Sequence, residues 1–315
     1  MDRFELAWAA GFFDGEGWAN AVAQEGRKTK QPQARINQAD PNGVPEVLLR
    51  FQRAVGGLGR IGGPYVMEGR DDLYWWQISS RGDVELLHHF LLPWLGQVKL
   101  HEFAVALERP SAASRPCGTT DDWRAWAAGL YDGEGSVYLL DHRTHDNYHL
   151  AEMCVTQCGR DTLAPEVLRR FAEIAGVGHI NGPYAQEEPY SPVWRFKSAA
   201  WSDIVVVLES ISPWLGPVKQ TQAREAREVI ESQPPLPRGN PAWGNRKTHC
   251  INGHEYANAR LRPYLSRGKG VPPRDSHQCL VCARQQARVR RLQKKSVVDD
   301  DHRPLSETSA IYLLK

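Results

Sequence analysis

Residues 9–17 read AAGFFDGEG, and residues 127–135 read AAGLYDGEG. Each string is an apolar helix pattern that runs into two carboxylates set between glycines. Ala9, Ala10 and Gly11, like Ala127, Ala128 and Gly129, give a helix a smooth side on which a second backbone can approach closely. Two such helices packed on each other would form a seam, and the seam would bring their acidic ends together. The helix is expected to stop at the glycine-acid-glycine string. The first acid of each copy (Asp14, Asp132) is then placed to cap, or to bond backbone of, the partner helix. The second (Glu16, Glu134) would fall after the helix end and point outward. Two outward carboxylates side by side repel, and a shared divalent cation, Mg2+ or Mn2+, removes that repulsion. Carboxylate-held metal is hardware for hydrolysing phosphodiesters.

The repetition extends beyond these strings. PEVLLRFQRAVGGLGRIGGPY (45–65) matches PEVLRRFAEIAGVGHINGPY (165–184), and LLPWLGQVK (91–99) matches ISPWLGPVK (211–219). Trp76 in YWWQIS matches Trp194 in PVWRFK, and Gln38 matches Gln157 as Lys99 matches Lys219. A tandem duplication of a unit of about 110 to 120 residues follows, too long a period for a solenoid. In each unit a helix opens at a capping signal, Asp2 with Glu5 in the first copy and Thr120 in the second. Alternating stretches then read as a hairpin, 18–24 with 33–38 and 136–142 with 148–157. An amphipathic PEVL helix, a second hairpin carrying Trp76 or Trp194, and a helix ending in PWL complete the order αββαββα. Trp76 and Trp194 are expected in the sheet core, with Gln77, Ser79, Arg195 and Lys197 facing out.

Composition limits the class. At 315 residues, 41% hydrophobic and 24% charged, the chain is long enough for about two globular cores. No apolar run approaches the ~18 residues that span a bilayer, and the first residues lack the order of a secretion signal, so no membrane partner and a cytoplasmic location are expected. Residues 1–245 carry 24 Lys and Arg against 31 Asp and Glu, a net of −7, whereas 246–295 carry 13 against 2, a net of +11. A basic segment of that density points to nucleic acid. The boundaries expected are 1–108 for the first unit, 109–120 for a linker, 121–232 for the second unit, 233–246 for a proline-rich linker, 247–295 for the basic segment and 296–315 for a disordered tail.

The doubled strings, the αββαββα units and the duplication together resemble the LAGLIDADG homing endonucleases in their single-chain form, over roughly residues 2–231. The resemblance implies an α+β fold of two pseudo-symmetric domains. It places the catalytic metal on Glu16 and Glu134, a pocket around the attacking water on Gln38 and Gln157, and a lysine beside it on Lys99 and Lys219. It leaves Gly11, Asp14, Gly129 and Asp132 structural, at the domain interface. A further basic residue that some members place after the glutamine has only Arg160 as counterpart here. Two antiparallel sheets would form a saddle along the major groove, where alternate side chains reach base edges. Asn20, Gln24, Gln33 and Arg35 of the first unit, and Tyr138, His142, Arg195 and Lys197 of the second, are the expected DNA contacts. They differ between halves, which implies a monomer on a long, partly palindromic duplex target. The acidic charge of the body requires that its acids lie away from the saddle or that the basic segment supply the phosphate contacts.

In that segment Cys250-x3-His254 and Cys279-x2-Cys282 have spacings that complete a tetrahedral, structural Zn2+ site. CINGHEY and HQCLVCARQQARVRR resemble the zinc-binding segments appended to phage-type HNH endonucleases. The basic helix after them, with Arg288, Arg290 and Arg291, is expected on phosphates. The functions that follow are a site-specific, metal-dependent DNA endonuclease or, with the same fold and no cleavage, an RNA maturase or DNA-binding regulator. A duplicated body that only binds DNA under direction of the zinc module is a third reading.

Overall fold

The computed structural model describes residues 1–23, 29–66, 69–112, 118–141, 148–159, 163–187, 189–234, 260–264, 274–278, 281–284 and 287. The chain divides into two compact units, Met1–Pro234 and Pro235–Lys315. In the first unit the leading repeat runs α1 (Arg3–Glu16), β1 (Gly17–Val22), β2 (Gln31–Ala39), α2 (Glu46–Ala54), β3 (Arg60–Tyr65), β4 (Leu73–Ile78), α3 (Arg81–Leu91) and α4 (Gln97–Ala106). The trailing repeat runs α5 (Thr120–Glu134), β5 (Gly135–Asp141), β6 (His149–Cys158), α6 (Glu166–Ala175), β7 (His179–Tyr184), β8 (Val193–Ser198), α7 (Trp201–Ile211) and α8 (Pro217–Ser232). The fold is α+β with two antiparallel four-stranded sheets, ordered β1-β2-β4-β3 and β5-β6-β8-β7. Each repeat therefore carries αββαββα and one helix more, α4 or α8, because the chain turns at Pro-Trp-Leu and starts a new helix at Gly96 or Gly216.

Two local expectations are corrected. The first helix does not stop at Asp14 or Asp132: it runs through Glu16 and Glu134 and ends where Gly17 and Gly135 take extended backbone. The propensity cost of Gly15 and Gly133 is outweighed by the packing that their missing side chains permit across the seam. The capping box expected of Asp2 and Glu5 is half made. Asp2 accepts from Phe4 and Glu5 backbone N–H groups, but the Glu5 carboxylate turns to Arg50, a stronger, charge-assisted partner. In α5 the complete box is Thr119 with Asp122, one residue before the expected start.

Period-2 alternation sorts each sheet into two faces. Ala34, Ile36, Trp76 and Ile78 point to the helices, as do Ala151, Met153, Val155 and Phe196, and all are buried. The Phe51 ring of α2 meets Trp76 edge to face at 4.8 Å, and Phe171 of α6 meets Phe196 the same way at 5.0 Å. Trp76 is fully buried, with its indole N–H donated to the Leu58 carbonyl. Trp194 is buried too, but it pairs with Gln157 as Tyr74 pairs with Gln38, so the expected match of Trp76 to Trp194 is corrected: Phe196, opposite Val155, takes the strand position of Trp76, opposite Ile36. Burying side chains of this size stabilises by roughly 1.5–3 kcal/mol each, so the doubled aromatic pair anchors each sheet to its own repeat. Among the described residues, no helix is long and apolar enough to cross a membrane. The second unit shows one antiparallel hairpin, β9 (Arg260–Tyr264) with β10 (Arg274–Gln278). It falls between the two expected zinc knuckles, of which Cys250, His254 and Cys279 lie outside the described residues.

Candidate active site

Helices α1 and α5 cross at their glycines. A Cβ on Gly11 would stand 1.9 Å from the Trp126 carbonyl oxygen, and one on Gly129 would stand 1.9 Å from that of Trp8. The two backbones are thus in direct contact, related by the pseudo-twofold of the duplication. Farther along, a Cβ on Gly133 would lie 2.8 Å from Cγ of Glu16, and one on Gly15 would lie 3.0 Å from Cγ of Glu134. Each glutamate therefore packs over the glycine beside its counterpart, and the two carboxylates share one half-buried site at the foot of the seam.

The first acids do not bond backbone of the partner helix, as expected; they join three elements instead. Asp14 accepts the Gly96 N–H at 2.9 and 3.0 Å, capping α4 of its own repeat, and accepts the Trp126 indole N–H at 2.9 Å from the other. Asp132 mirrors it with Gly216 N–H at 3.0 and 2.8 Å and the Trp8 indole at 2.7 Å. An α-helix leaves its first N–H groups without partners, and a buried carboxylate satisfies one of them. Burial raises both acids, Asp14 to about 7 and Asp132 to about 6, against the opposing pull of these donors.

A second pair of straps was missed in the sequence. Arg50 of α2 stacks on Trp8, 4.0 Å from the ring centroid, donates to Glu5 at 2.7 Å and reaches the Trp214 carbonyl of the other repeat at 2.7 Å. Arg170 of α6 stands 5.0 Å over Trp123 and Trp126 and donates to the Trp94 carbonyl at 2.7 Å. The signal was present: these arginines occupy matching places in PEVLLRF and PEVLRRF, and the tryptophans occupy matching places before the AAG strings.

Around the glutamates, Gln38 and Gln157 end the second strand of each sheet with the parity of the core-facing residues. Burial raises the Glu16 pKa, while the Gln38 amide, Lys219 and Lys99 oppose it. Glu134 is pushed up to about 8, by burial first and then by the charge of Glu16, with Gln157 and both lysines opposing. Lys219 is lowered by burial despite the facing Asp132, Glu16 and Glu134. Lys99 and Lys219 stand in the first turns of α4 and α8, which excludes a role as C-terminal dipole partners. The site thus gathers two mutually repelling carboxylates, two amides and two ammonium groups.

The other sheet face carries the remaining expected residues. Asn20 is opposite Gln33, and Trp18 lines up with Arg35, Gln77 and Arg60. Arg35 and Arg60 flank the Trp75 ring at 5.3 and 5.5 Å, and Arg35 donates to Asn37 at 2.7 Å. On the second sheet Thr156, Arg195 and Asn181 form one row, and Cys154, Lys197 and His179 another. Glu152 sits among them and accepts from the Tyr138 hydroxyl and, at 2.6 Å, from Lys197. Burial works against its ionisation, but Lys197 and Tyr138 outweigh it and its pKa is lowered. Gln24, His142, Arg160, Arg288, Arg290 and Arg291 lie outside the described residues.

Two repeats joined by glycine-crossed helices, each bearing a four-stranded antiparallel sheet, define the fold of the single-chain LAGLIDADG homing endonucleases. Among solved structures, the chain is similar to the LAGLIDADG homing endonuclease I-GzeII in complex with its DNA target, at 15% identity over 79% of this chain and 94% of that one, with a TM-score of 0.52. It is also similar to the LAGLIDADG meganuclease I-AabMI bound to uncleaved DNA, at 15% identity over 72% of this chain and 90% of that one, with a TM-score of 0.51. No family model and no curated protein matches the sequence, so the likeness is one of fold.

Proposed function

We propose that the chain is a site-specific endonuclease that hydrolyses both strands of a DNA duplex. The observation that carries this reading is the meeting of Glu16 and Glu134 over Gly133 and Gly15, where the charge of Glu16 raises the cost of ionising Glu134. Such a pair calls for a cation. The donor set is all oxygen, from two carboxylates with amides beside them, and among the described residues no cluster of three or more His, Cys, Asp or Glu forms a closed cage. That suits Mg2+ or Mn2+, which take one or two carboxylates and leave places for water and phosphate. Bound between Glu16 and Glu134, the ion would supply the charge that activates water and stabilises the leaving oxygen.

The residues of the chain do the rest. Gln38 and Gln157 hold water beside the carboxylates by hydrogen bonding, one on each side. Lys99 and Lys219 present positive charge to the phosphate as negative charge grows on it. Asp14 and Asp132 fix the helices that carry those lysines, since each caps α4 or α8 and holds the seam at the same time. Asn20, Gln33, Arg35, Tyr138, Arg195 and Lys197 read bases from the outer sheet faces, and the sequence adds Gln24 and His142 to the same set. Because the two halves present different side chains, the target is long and imperfectly palindromic and the protein acts as a monomer. Residues 247–295 supply the cationic contacts that the acidic body lacks, held by structural Zn2+ on Cys250, His254, Cys279 and Cys282 and ending in Arg288, Arg290 and Arg291.

The test is cleavage of a randomised duplex library with Mg2+, read by sequencing the ends. Cleavage at one recurrent long sequence, lost when Glu16→Gln and Glu134→Gln are combined, is expected. Binding without any cut, or cutting that survives both substitutions, refutes the reading.

A further inference from the structure

The duplication matches the carboxylates, amides and lysines of the candidate site, but α4 and α8 diverge beyond the lysines, and one of these differences falls three residues past each lysine. Glu102 follows Lys99, whereas Gln222 follows Lys219. Glu102 lies 3.1 and 3.3 Å from the Lys99 ammonium, in a pair whose side chains are 12% and 27% exposed. Its second oxygen also accepts the Ala19 N–H at 3.1 Å, which ties α4 to β1 just beyond Glu16 and Gly17. Across the pseudo-twofold, the Gln222 side-chain oxygen is buried and, among the described residues, accepts no hydrogen bond. An amide has no charge to hold Lys219, whose facing carboxylates are Asp132, Glu16 and Glu134. Lys99 is therefore neutralised and held by a dedicated carboxylate, whereas among the described residues Lys219 faces the acids of the shared site alone.

We propose that Glu102 makes the two halves of the site unequal by clamping Lys99, so that the DNA strand served by Lys219 is nicked first. This rests on the endonuclease reading above. The clamp acts in two ways: it offsets charge that would otherwise face the growing negative charge on phosphate, and it restrains the lysine to a position on α4. A partly buried ion pair of this kind is worth about 1 kcal/mol, which converts to a bias of about fivefold between strands. Glu102 is a positioning residue, since it touches the lysine and β1 rather than the reacting atoms.

The experiment follows each strand of a labelled duplex, recovered from the library selection, under single-turnover conditions with Mg2+. Wild type is expected to nick one strand about fivefold faster, and Lys219→Met is expected to abolish that faster nick. Glu102→Gln, which copies the second half, is expected to bring the strands to equal rates, and Gln222→Glu to do the same by slowing the faster one. A readout independent of cleavage is acetylation of the metal-free protein by acetic anhydride, followed by mass spectrometry: Lys99 labelling rises in Glu102→Gln while Lys219 labelling holds. Equal nicking in wild type, a faster nick that depends on Lys99, or a bias unmoved by Glu102→Gln overturns the proposal. Absence of any nicking overturns the endonuclease reading, and the proposal with it.

Discussion

Substituting Gly129 by alanine tests the helix seam on which the site depends. In a helix interior, glycine is less favourable than alanine by roughly 0.5–1 kcal/mol, so the same change on an open helix face stabilises. At Gly129 the new Cβ would lie 1.9 Å from the Trp8 carbonyl oxygen and 2.8 Å from the Phe12 nitrogen, both backbone atoms that cannot swing aside. Restoring a carbon-oxygen contact of about 3.3 Å requires α1 and α5 to part by about 1.4 Å. Overpacking of this kind costs about 1–3 kcal/mol, or about 2–12 °C in Tm for a folded unit of this size. Gly82 of α3 is the control, because nothing lies within 4 Å of its Cβ position and alanine there is neutral or stabilising. Urea unfolding followed by tryptophan fluorescence compares the two. A Gly129→Ala protein as stable as Gly82→Ala would refute the close approach of the helices and the placement of the glutamates that follows from it.

Further outcomes concern the straps, the acids and the sheet face. Arg50→Lys keeps the charge but loses the bidentate pairing with Glu5 and the stacking on Trp8; it is expected to destabilise by about 1–2 kcal/mol in urea titrations and to couple with Trp8→Phe in a double-mutant cycle. The folded, metal-free chain keeps a proton on Glu134 between the ordinary 4.5 and about 8, where the unfolded chain has released it. Stability from this group is therefore present below pH 4.5 and falls as pH rises to about 8; Glu134→Gln flattens that fall, and a parallel pH dependence in wild type and variant contradicts it. Glu152→Gln releases Lys197 and removes a negative charge from the outer sheet face, so DNA binding by fluorescence anisotropy is expected to tighten up to about fivefold at low salt, with the gain shrinking as salt rises.

The sequence made the duplicated architecture readable because its carriers are chemically conspicuous. Two acidic helix ends and two PEVL helices recur in register, and their periodicities are those of the elements they form; pairing the two sheet tryptophans missed the register, because Phe196 rather than Trp194 stands where Trp76 does. What escaped the reading depends on contacts between distant segments. Nothing local keeps α1 helical through Gly15; Glu134, from the other repeat, fills the space beside it. Asp14 reads as a cap, yet the N–H groups it serves belong to Gly96 and Trp126, 82 and 112 residues away. Glu5 fits a capping box by spacing, and only the fold shows Arg50 competing for it. Glu102 carries no motif at all, and its meaning comes from the neighbouring Lys99 and from the Gln222 that replaces it.

The central claim is that each repeat supplies one carboxylate to a single shared site, so that neither is complete alone. Strand-resolved cleavage by the single variants Glu16→Gln and Glu134→Gln measures this most directly, with DNA binding recorded in parallel. Either substitution is predicted to slow double-strand cleavage by at least ~100-fold while binding persists. A single variant that cuts both strands at the wild-type rate would contradict it.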